Sequence, residues 1–368
     1  MITEDNKKIV LPDVSFITTV YNEEKSIIEF LESLTEQIYL PGEIIMVDGG
    51  SKDKTFEITL GFFKDKASQK NGDYRTVLNN RNDSTRDKIN KRNNKSIVNV
   101  RIIKKSGANI SQGRNIAIKN ASGRIICVSD AGCILNKNWL KEITRFYDDT
   151  SCNVVGGLNL PFCRNFIQKC LAVCVVPSEK EIKVEKYMPS SRNISFKKKI
   201  WIDVGGYPEN MDYGEDMKFD FNIKAADYRI RFNPDAVVYW KMRENPVQIF
   251  WQFFRYAKGD AMGRMYPVRH LIRFSAFFTL LIILIGAFCL SKWIMVILAP
   301  LFVVYVFKPY SKLVKGWSSN GSCSLYGVER FLSILFIPLL LLQIDLSKMC
   351  GYIYGLFKKI IIEYIYFF

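Results

Sequence analysis

The stretch Val14-Ser15-Phe16-Ile17-Thr18-Thr19-Val20-Tyr21-Asn22-Glu23-Glu24 decides the fold. Its first seven residues are rich in β-branched side chains and read as a short buried strand. Asn22 then offers a helix N-cap, with Glu23 and Glu24 in the first turn, where the helix dipole favours acids. Ile27, Ile28, Leu31 and Leu34 recur at helical spacing, so the pattern predicts an amphipathic helix over Glu23–Gln37. Pro41-Gly42 ends that unit. Glu43–Val47 reads as a second strand finishing at Asp48-Gly49-Gly50-Ser51, with another helix starting near Ser51 or Asp53. Strand, helix, strand, helix is the order of a parallel α/β sheet.

Further along, residues 64–97 are rich in Lys, Asn and Arg and carry little periodicity, which predicts an extended surface insertion. Val98–Ile103 resumes the sheet, Ser111–Asn120 is expected to be helical, and Arg124–Ser129 is another buried strand ending at Asp130-Ala131-Gly132. Acids therefore stand at the carboxyl ends of two strands, at Asp48 and Asp130. In open α/β sheets that edge is where ligands bind. Either aspartate alone reads as a turn residue or cap; the pair, in the motifs below, reads as a site.

The chain has 368 residues and a mean hydropathy near zero, which hides an asymmetry. Residues 1–270 carry mixed charge, whereas 271–368 are rich in Leu, Ile, Phe and Tyr. Phe274–Ser291 is a charge-free run of 18 residues, Trp293–Phe307 a further 15 and Phe331–Ile344 another 14. A spanning helix needs about 20 apolar residues, so a membrane hairpin over 271–308 is expected. Arg269 and Arg273 precede it and Lys308, Lys312 and Lys315 follow it, which keeps both ends cytoplasmic. The third run is open to three readings: it spans, re-enters or lies in the interface. Ile360–Phe368 is expected along the headgroups. Met1–Asp13 lacks the apolar core of a signal peptide, so attachment is expected from the other end.

Net charge is +16, from 52 basic and 36 acidic residues. The basic residues form no nucleic-acid stripe, being split between the insertion and the flanks of the apolar tail, and no nucleic-acid partner is expected. Nine cysteines without a CxxC pair indicate neither a zinc site nor a disulfide framework, and free cysteines fit a reducing compartment. There is no GxGxxG after a strand and no glycine- and lysine-rich phosphate loop, which argues against a dehydrogenase and a nucleotidyltransferase. The single histidine, His270, sits beside the apolar run and reads as interfacial, which leaves no Ser-His-Asp hydrolase.

Taken in order, several short motifs resemble those of the family-two glycosyltransferases over roughly residues 12–265. Ser15–Glu24 looks like their opening strand and turn, and Val47–Thr55 like their second motif. Gly113-Arg114-Asn115 and Ala121-Ser122-Gly123 resemble the helix before the metal-binding strand. Ser129-Asp130-Ala131-Gly132 stands where the family has Asp-x-Asp, so Gly132 replaces the second aspartate. Gly205-Gly206-Tyr207 and Gly214-Glu215-Asp216 resemble the acceptor half and its acidic pair, and Gln252-Phe253-Phe254-Arg255-Tyr256 is similar to the Gln-x-x-Arg-Trp motif of membrane-bound members.

The resemblance implies a GT-A fold, a Rossmann-like α/β domain with a mostly parallel sheet over 1–265, followed by a C-terminal helical membrane region over 266–368. It implies an inverting, hexosyltransferase-like enzyme of polysaccharide or glycolipid biosynthesis. The sugar would pass from a nucleotide-sugar donor to a membrane lipid or lipid-linked glycan. Val20, Asn22, Glu23 and Asp48 are expected to contact the nucleotide, with Arg114 and Asp130 at the diphosphate. Asp130 would hold Mg or Mn, a divalent ion suited to oxygen ligands. Asp216, paired with Glu215, is expected to be the catalytic base. Gln252, Arg255 and Tyr256, with Gln252 and Arg255 three apart on one helical face, are expected to close over acceptor or diphosphate. The expected location is the cell membrane, with the catalytic domain cytoplasmic. The rival reading is a basic membrane-associated protein that binds nucleotide or anionic lipid without transferring anything.

Overall fold

The computed structural model describes residues 8–68, 74–78, 97–315 and 323–367. The chain divides into two compact units, one of Met1–Leu160 with Ile182–Trp240 and one of Pro161–Glu181 with Lys241–Phe368.

The first unit is built on β1 (Ile9–Val20), α1 (Ile27–Thr35), β2 (Tyr39–Asp48), α2 (Thr55–Ser68), β3 (Tyr74–Leu78), β4 (Val98–Lys104), α3 (Ile110–Asn120) and β5 (Ile125–Val128). There follow β6 (Cys133–Leu135), α4 (Trp139–Thr144) and β7 (Val154–Phe162), from whose end the chain passes into α5 (Phe166–Val175) of the second unit. It returns through β8 (Ile194–Lys197), α6 (Lys198–Asp203), α7 (Glu215–Ala225) and β9 (Ile230–Lys241). Among the described residues these strands form one sheet in the order β3-β4-β2-β1-β5-β8-β7-β9-β6. Strands β3, β4, β2, β1 and β5 run parallel, β8 is antiparallel to β5 and to β7, and β6 is antiparallel to β9. The mostly parallel α/β sheet expected of a GT-A domain is present.

Alternation along β1 sorts the core into two layers. Phe16 is buried on one face with Phe30, Leu31 and Leu34 of α1 and Trp139 of α4. Ile17 is buried on the other with Ala117 and Ile118 of α3 and Phe219 of α7. Near its start the ladder breaks: the β1–β2 register shifts between Leu11 and Ser15, where Pro41 brings no N–H to the pairing. Gly42 follows because a Cβ there would lie 2.6 Å from the Pro12 carbonyl oxygen. Pro41-Gly42 is thus a kink inside β2 and does not end the unit as expected.

Two further expectations are corrected. Helix α1 begins at Ile27 and not at Glu23, and Asn22 is not its cap. Asn22 Oδ1 accepts from Lys52 N at 2.9 Å and Glu23 N donates to Thr55 Oγ1 at 2.7 Å, so the turn bonds to the neighbouring loop instead. Within the basic segment, residues 64–68 complete α2 and 74–78 form the outer parallel strand, with Tyr74 packed on Phe63 at 6.0 Å between ring centres. The remainder of that insertion lies outside the described residues.

The second unit comprises α5, α8 (Pro246–Met262), α9 (Pro267–Cys289), α10 (Leu298–Val314, preceded by a 3-10 turn) and α11 (Gly327–Phe367). Pro267–Cys289, Lys292–Val314 and Gly327–Ile361 are each long and apolar enough to cross a membrane. Phe331–Ile344 and the closing aromatics, expected as separate pieces, belong to one 41-residue helix. Cys163 and Cys323 form a disulfide, which corrects the expectation that all cysteines are free. Its partners are 160 residues apart in the chain, and no spacing signals such a pair. His270 is 1% exposed: its Nε2 lies 2.9 Å from Asp260 Oδ2 and its ring stacks on Tyr352 at 3.9 Å.

Candidate active site

Parallel pairing brings the ends of β1, β2 and β4 to one edge, since Val20 lies opposite Asp48 and Asp48 opposite Lys104. The loops leaving these strands are knitted together. Gly49 N donates to the Val20 carbonyl at 3.0 Å, Lys105 N to the Asp48 carbonyl at 2.8 Å, and Gly107 N to the Gly49 carbonyl at 3.0 Å. Gly50 has φ +96°, and a Cβ on it would lie 2.8 Å from Ser106 Cα, so only glycine fits where the second loop meets the third.

Asp48 is fully buried. Its Oδ1 accepts from the N–H groups of Gly50 and Ser51, both at 2.8 Å, and so shapes the loop. Its Oδ2 has no partner among the described residues. A buried acceptor with no donor costs about 1–3 kcal/mol, and a ligand N–H or O–H would remove that cost. Asn22, with φ 53°, and Glu23 flank this loop through the bonds given above.

Helix α3 links this group to a second. It opens with a capping box in which Asn109 Oδ1 accepts from Gln112 N at 2.9 Å and Gln112 Oε1 from Asn109 N at 3.1 Å. Gly113 packs against β1, where a Cβ would lie 2.6 Å from Thr19 Cγ2. That close approach aims the next residue inward. Arg114 is 1% exposed; its Nη2 donates to Asp130 Oδ1 at 2.7 Å and its Nη1 to Glu215 Oε1 at 2.6 Å. Asn115 receives Trp201 Nε1 at 2.9 Å and Tyr207 N at 3.0 Å, fixing the Gly205-Gly206-Tyr207 turn, whose two glycines have φ near +76°. Gly113-Arg114-Asn115 therefore acts as a structural clamp and a counter-ion.

Glu215 and Asp216 open α7 behind Gly214, which has φ 73°. They part company at once. Glu215 is buried at 5% exposure against Arg114, whereas Asp216 is half-buried. Asp216 Oδ2 accepts from Ser190 Oγ at 3.0 Å and its Oδ1 from Met217 N at 2.8 Å. Burial, then the neighbouring Asp216, pushes the Glu215 carboxyl up to about 7, although Arg114 pulls the other way. The upward direction is the one the geometry supports, because one guanidinium serves two carboxylates and a third stands beside them. Arg114 itself is held protonated: burial works against its charge, but Asp130 and Glu215 more than offset that.

Two buried carboxylates escaped the sequence reading. Asp220, one turn beyond Asp216, is 1% exposed, and burial and then Asp216 raise its pKa well above the usual range. Only the four-residue spacing from Asp216 hinted at it. Glu43 accepts from Ser15 Oγ, from the hydroxyl and N–H of Ser122 and from Gly123 N. Burial works against its charge, but these bonds win and its pKa is lowered. Ala121-Ser122-Gly123 thus earns its place by holding a structural carboxylate.

For a divalent ion the protein offers little directly. Asp130 keeps Oδ2, since Arg114 takes Oδ1, and a Cβ built on Gly132 meets nothing within 4 Å. Among the described residues no group of three or more His, Cys, Asp or Glu side chains could hold a metal. One carboxylate oxygen beside open space nevertheless suits an ion such as Mg²⁺, which is commonly bound through one or two carboxylates plus substrate phosphates and water. Gln252, Arg255 and Tyr256 lie on α8 of the second unit, where Gln252 Nε2 donates to Tyr256 Oη at 3.0 Å and Gln252 Oε1 is buried with no partner among the described residues.

The family model for glycosyl transferase family 2 matches residues 15–83 and 69–169. The chain is 24% identical over 232 residues to the glycosyltransferase AglE of Haloferax volcanii, a match covering 62% of this chain and 66% of that protein. To the O-antigen chain rhamnosyltransferase WbaN of Salmonella anatum it is 25% identical over 259 residues, 66% of this chain and 71% of that one. A mannosyltransferase from Pyrobaculum calidifontis, solved with GDP-Man and Mn²⁺, aligns with 14% identity and a TM-score of 0.49 over 92% of this chain and 87% of that one.

Proposed function

The chain belongs to glycosyl transferase family 2, and from that premise we propose that it moves a sugar, with inversion, from a nucleotide-sugar donor to a membrane-borne lipid or lipid-linked glycan. The observation that carries this is the division of labour among the acids at one edge of the sheet. Asp48 is orphaned at Oδ2, Asp130 is half tied, Glu215 is absorbed by Arg114, and Asp216 is left half-open. In this reading Asp48, with Val20, Asn22 and Glu23, receives the nucleoside. Asp130 receives the diphosphate together with Mg or Mn, which when bound supplies charge neutralisation for the leaving group.

Asp216 takes the proton of the acceptor hydroxyl as that oxygen attacks the anomeric carbon. The bond to the diphosphate breaks on the opposite side, and the diphosphate leaves with the electron pair. One displacement inverts the centre. Arg114 and Glu215 keep Asp216 and Asp130 in register; Gln252, Arg255 and Tyr256 serve the acceptor or the diphosphate.

The test is nucleotide binding. The detergent-solubilised protein is titrated with uridine, guanosine, cytidine and thymidine diphosphates, with and without Mn²⁺, and its unfolding followed. A ligand at 100 times its dissociation constant adds about 2.7 kcal/mol, and Asp48→Ala should remove that gain. No response to any nucleotide would sink the transferase reading and leave a basic membrane-associated binding protein in its place.

We place the catalytic unit on the cytoplasmic side, because Arg269 and Arg273 lie in the first two turns of the first apolar helix and Lys308, Lys312 and Lys315 at the end of the second. That side keeps thiols reduced, so the cytoplasmic placement and the Cys163–Cys323 disulfide of the structure stand against each other, and counting thiols decides between them. Denatured, unreduced membranes should titrate nine thiols per chain, the full number of cysteines; a value two lower would place that face outside.

A further inference from the structure

We propose that α11 does not cross the membrane but lies along its surface as an in-plane beam, its exposed apolar stripe seated in the headgroup–acyl boundary on the side of the catalytic unit. Length and composition alone make it a third span. Its contacts within the second unit contradict that.

The argument starts from α9 and α10. Pro267–Cys289 and Lys292–Val314 are joined by only two residues, so if they span as a hairpin, the start of the first and the end of the second lie at the same membrane face. Helix α11 is tied to both of those points. Near its start, Tyr310 Oη donates to the Ile334 carbonyl and Arg330 Nη2 to the Leu313 carbonyl at 2.9 Å, which fixes residues 330–334 beside the end of α10. Further along, Arg273 Nε donates to Asp345 Oδ1 at 2.7 Å and Tyr352 stacks on His270 at 3.9 Å, which fixes residues 345–352 beside the start of α9. A helix crossing about 30 Å of hydrocarbon uses about 20 residues. Starting beside Leu313, a crossing helix would bring Tyr352 out on the far face, where it could not touch His270.

Helix α8 makes the same point. It precedes the first span, so it lies on the side of the catalytic unit. A Cβ on Gly351 would lie 2.1 Å from the Phe254 carbonyl oxygen, and one on Gly355 would lie 2.7 Å from the Lys258 carbonyl oxygen. The Gly-Tyr-Ile-Tyr-Gly run of 351–355 is thus a small-residue seam along which the second half of α11 lies against α8. Between α8 and α9 the chain turns through two left-handed residues, Arg264 with φ 54° and Tyr266 with φ 52°, and then Pro267. Such strained positions persist where the surroundings fix them, and here they redirect an in-plane helix into a spanning one.

The side chains of α11 agree with a surface location. Ser333, Ile337, Leu340 and Ser347 are buried. On the other side Phe331, Leu335, Leu339, Phe357 and Ile360 are between 61% and 67% exposed. From Phe331 to Ile360 the stripe runs about 44 Å at 1.5 Å per residue, about one and a half times the hydrocarbon thickness. A span needs apolar surface for only about two thirds of that length; a helix lying in the interface needs it along one face throughout. Gln252, Arg255 and Tyr256, carried by α8, then ride at the level where a lipid headgroup stands.

The experiment maps three points of the full chain in sealed membrane vesicles: an epitope with a protease site before Met1, one after Ser291 and one after Phe368. Cutting from outside the vesicle should reach the first and third together, and the second only when the vesicles are opened or inverted. A third site on the opposite face from the first would overturn the proposal by making α11 a span. A second site on the same face as the first would show that the hairpin does not cross, removing the premise along with the membrane reading of α9 and α10. Neither readout depends on the donor or on transfer.

Discussion

Asp216→Asn should lower sugar transfer by roughly 10²–10⁴-fold, the usual contribution of a positioned base, while nucleotide-induced stabilisation stays at the wild-type level. The substitution keeps the size of the side chain and leaves one oxygen for either Ser190 Oγ or the N–H of Met217, which Asp216 now binds at 3.0 Å and 2.8 Å. What it loses is the capacity to take a proton at neutral pH. Asp216 suits that task better than its neighbour. Glu215 is 5% exposed and tied to Arg114 Nη1 at 2.6 Å, which leaves it closed to an acceptor hydroxyl. Asp216 is half-open, and its contacts are to a hydroxyl and a backbone N–H, which stabilise a carboxylate without consuming it. Transfer measured with radiolabelled donor, beside nucleotide binding by thermal shift, separates the two roles. An Asn variant that transferred at the wild-type rate would remove Asp216 from the chemistry and turn attention to Asp220, one turn below.

The part of this protein that periodicity governs was legible in the sequence. Strand composition at Val14–Val20 and the helical spacing of Ile27, Leu31 and Leu34 gave a parallel sheet, and the acids at 48 and 130 do stand at its carboxyl edge. What escaped was decided by contacts between distant residues. Asn22 reads as a cap because nothing local shows Lys52 N, 30 positions away in sequence, as a better partner. Glu43 looks like a strand-edge acid until the turn at Ser122-Gly123 closes over it. His270 sits next to an apolar run, and only the folding of α11 back along α8 buries it against Tyr352. The Cys163–Cys323 pairing is of the same kind. Membrane topology is the sharpest case, since 35 apolar-rich residues fit a span or a surface helix equally well and only tertiary contacts distinguish them.

Arg114→Met is expected to be the most destabilising single change in the first unit. The guanidinium is buried, with carboxylate partners at 2.7 and 2.6 Å, and removing one member of a buried ion pair costs about 3–5 kcal/mol because the other charge is left uncompensated. The double variant Arg114→Met with Glu215→Gln should recover part of the loss, since it removes one of the two stranded charges. The pH dependence tells ion pairing from packing. Glu215 has its carboxyl raised to about 7 in the folded chain, above the ordinary glutamate value of 4.5. Below the lower value both folded and unfolded chains hold the proton and the group is neutral to stability. Between the two values the unfolded chain releases it first, so stability falls as pH rises, and above the folded value the penalty is constant. Without Arg114 the folded pKa moves higher still, so the fall continues past neutrality. The variant should therefore lie closest to the wild type near pH 5 and furthest from it near pH 8, in melts of the detergent-solubilised protein. A gap that stayed the same across that range would mean that Arg114 contributes by filling space, and the charge balance that leaves Asp216 as the free acid would lose its support.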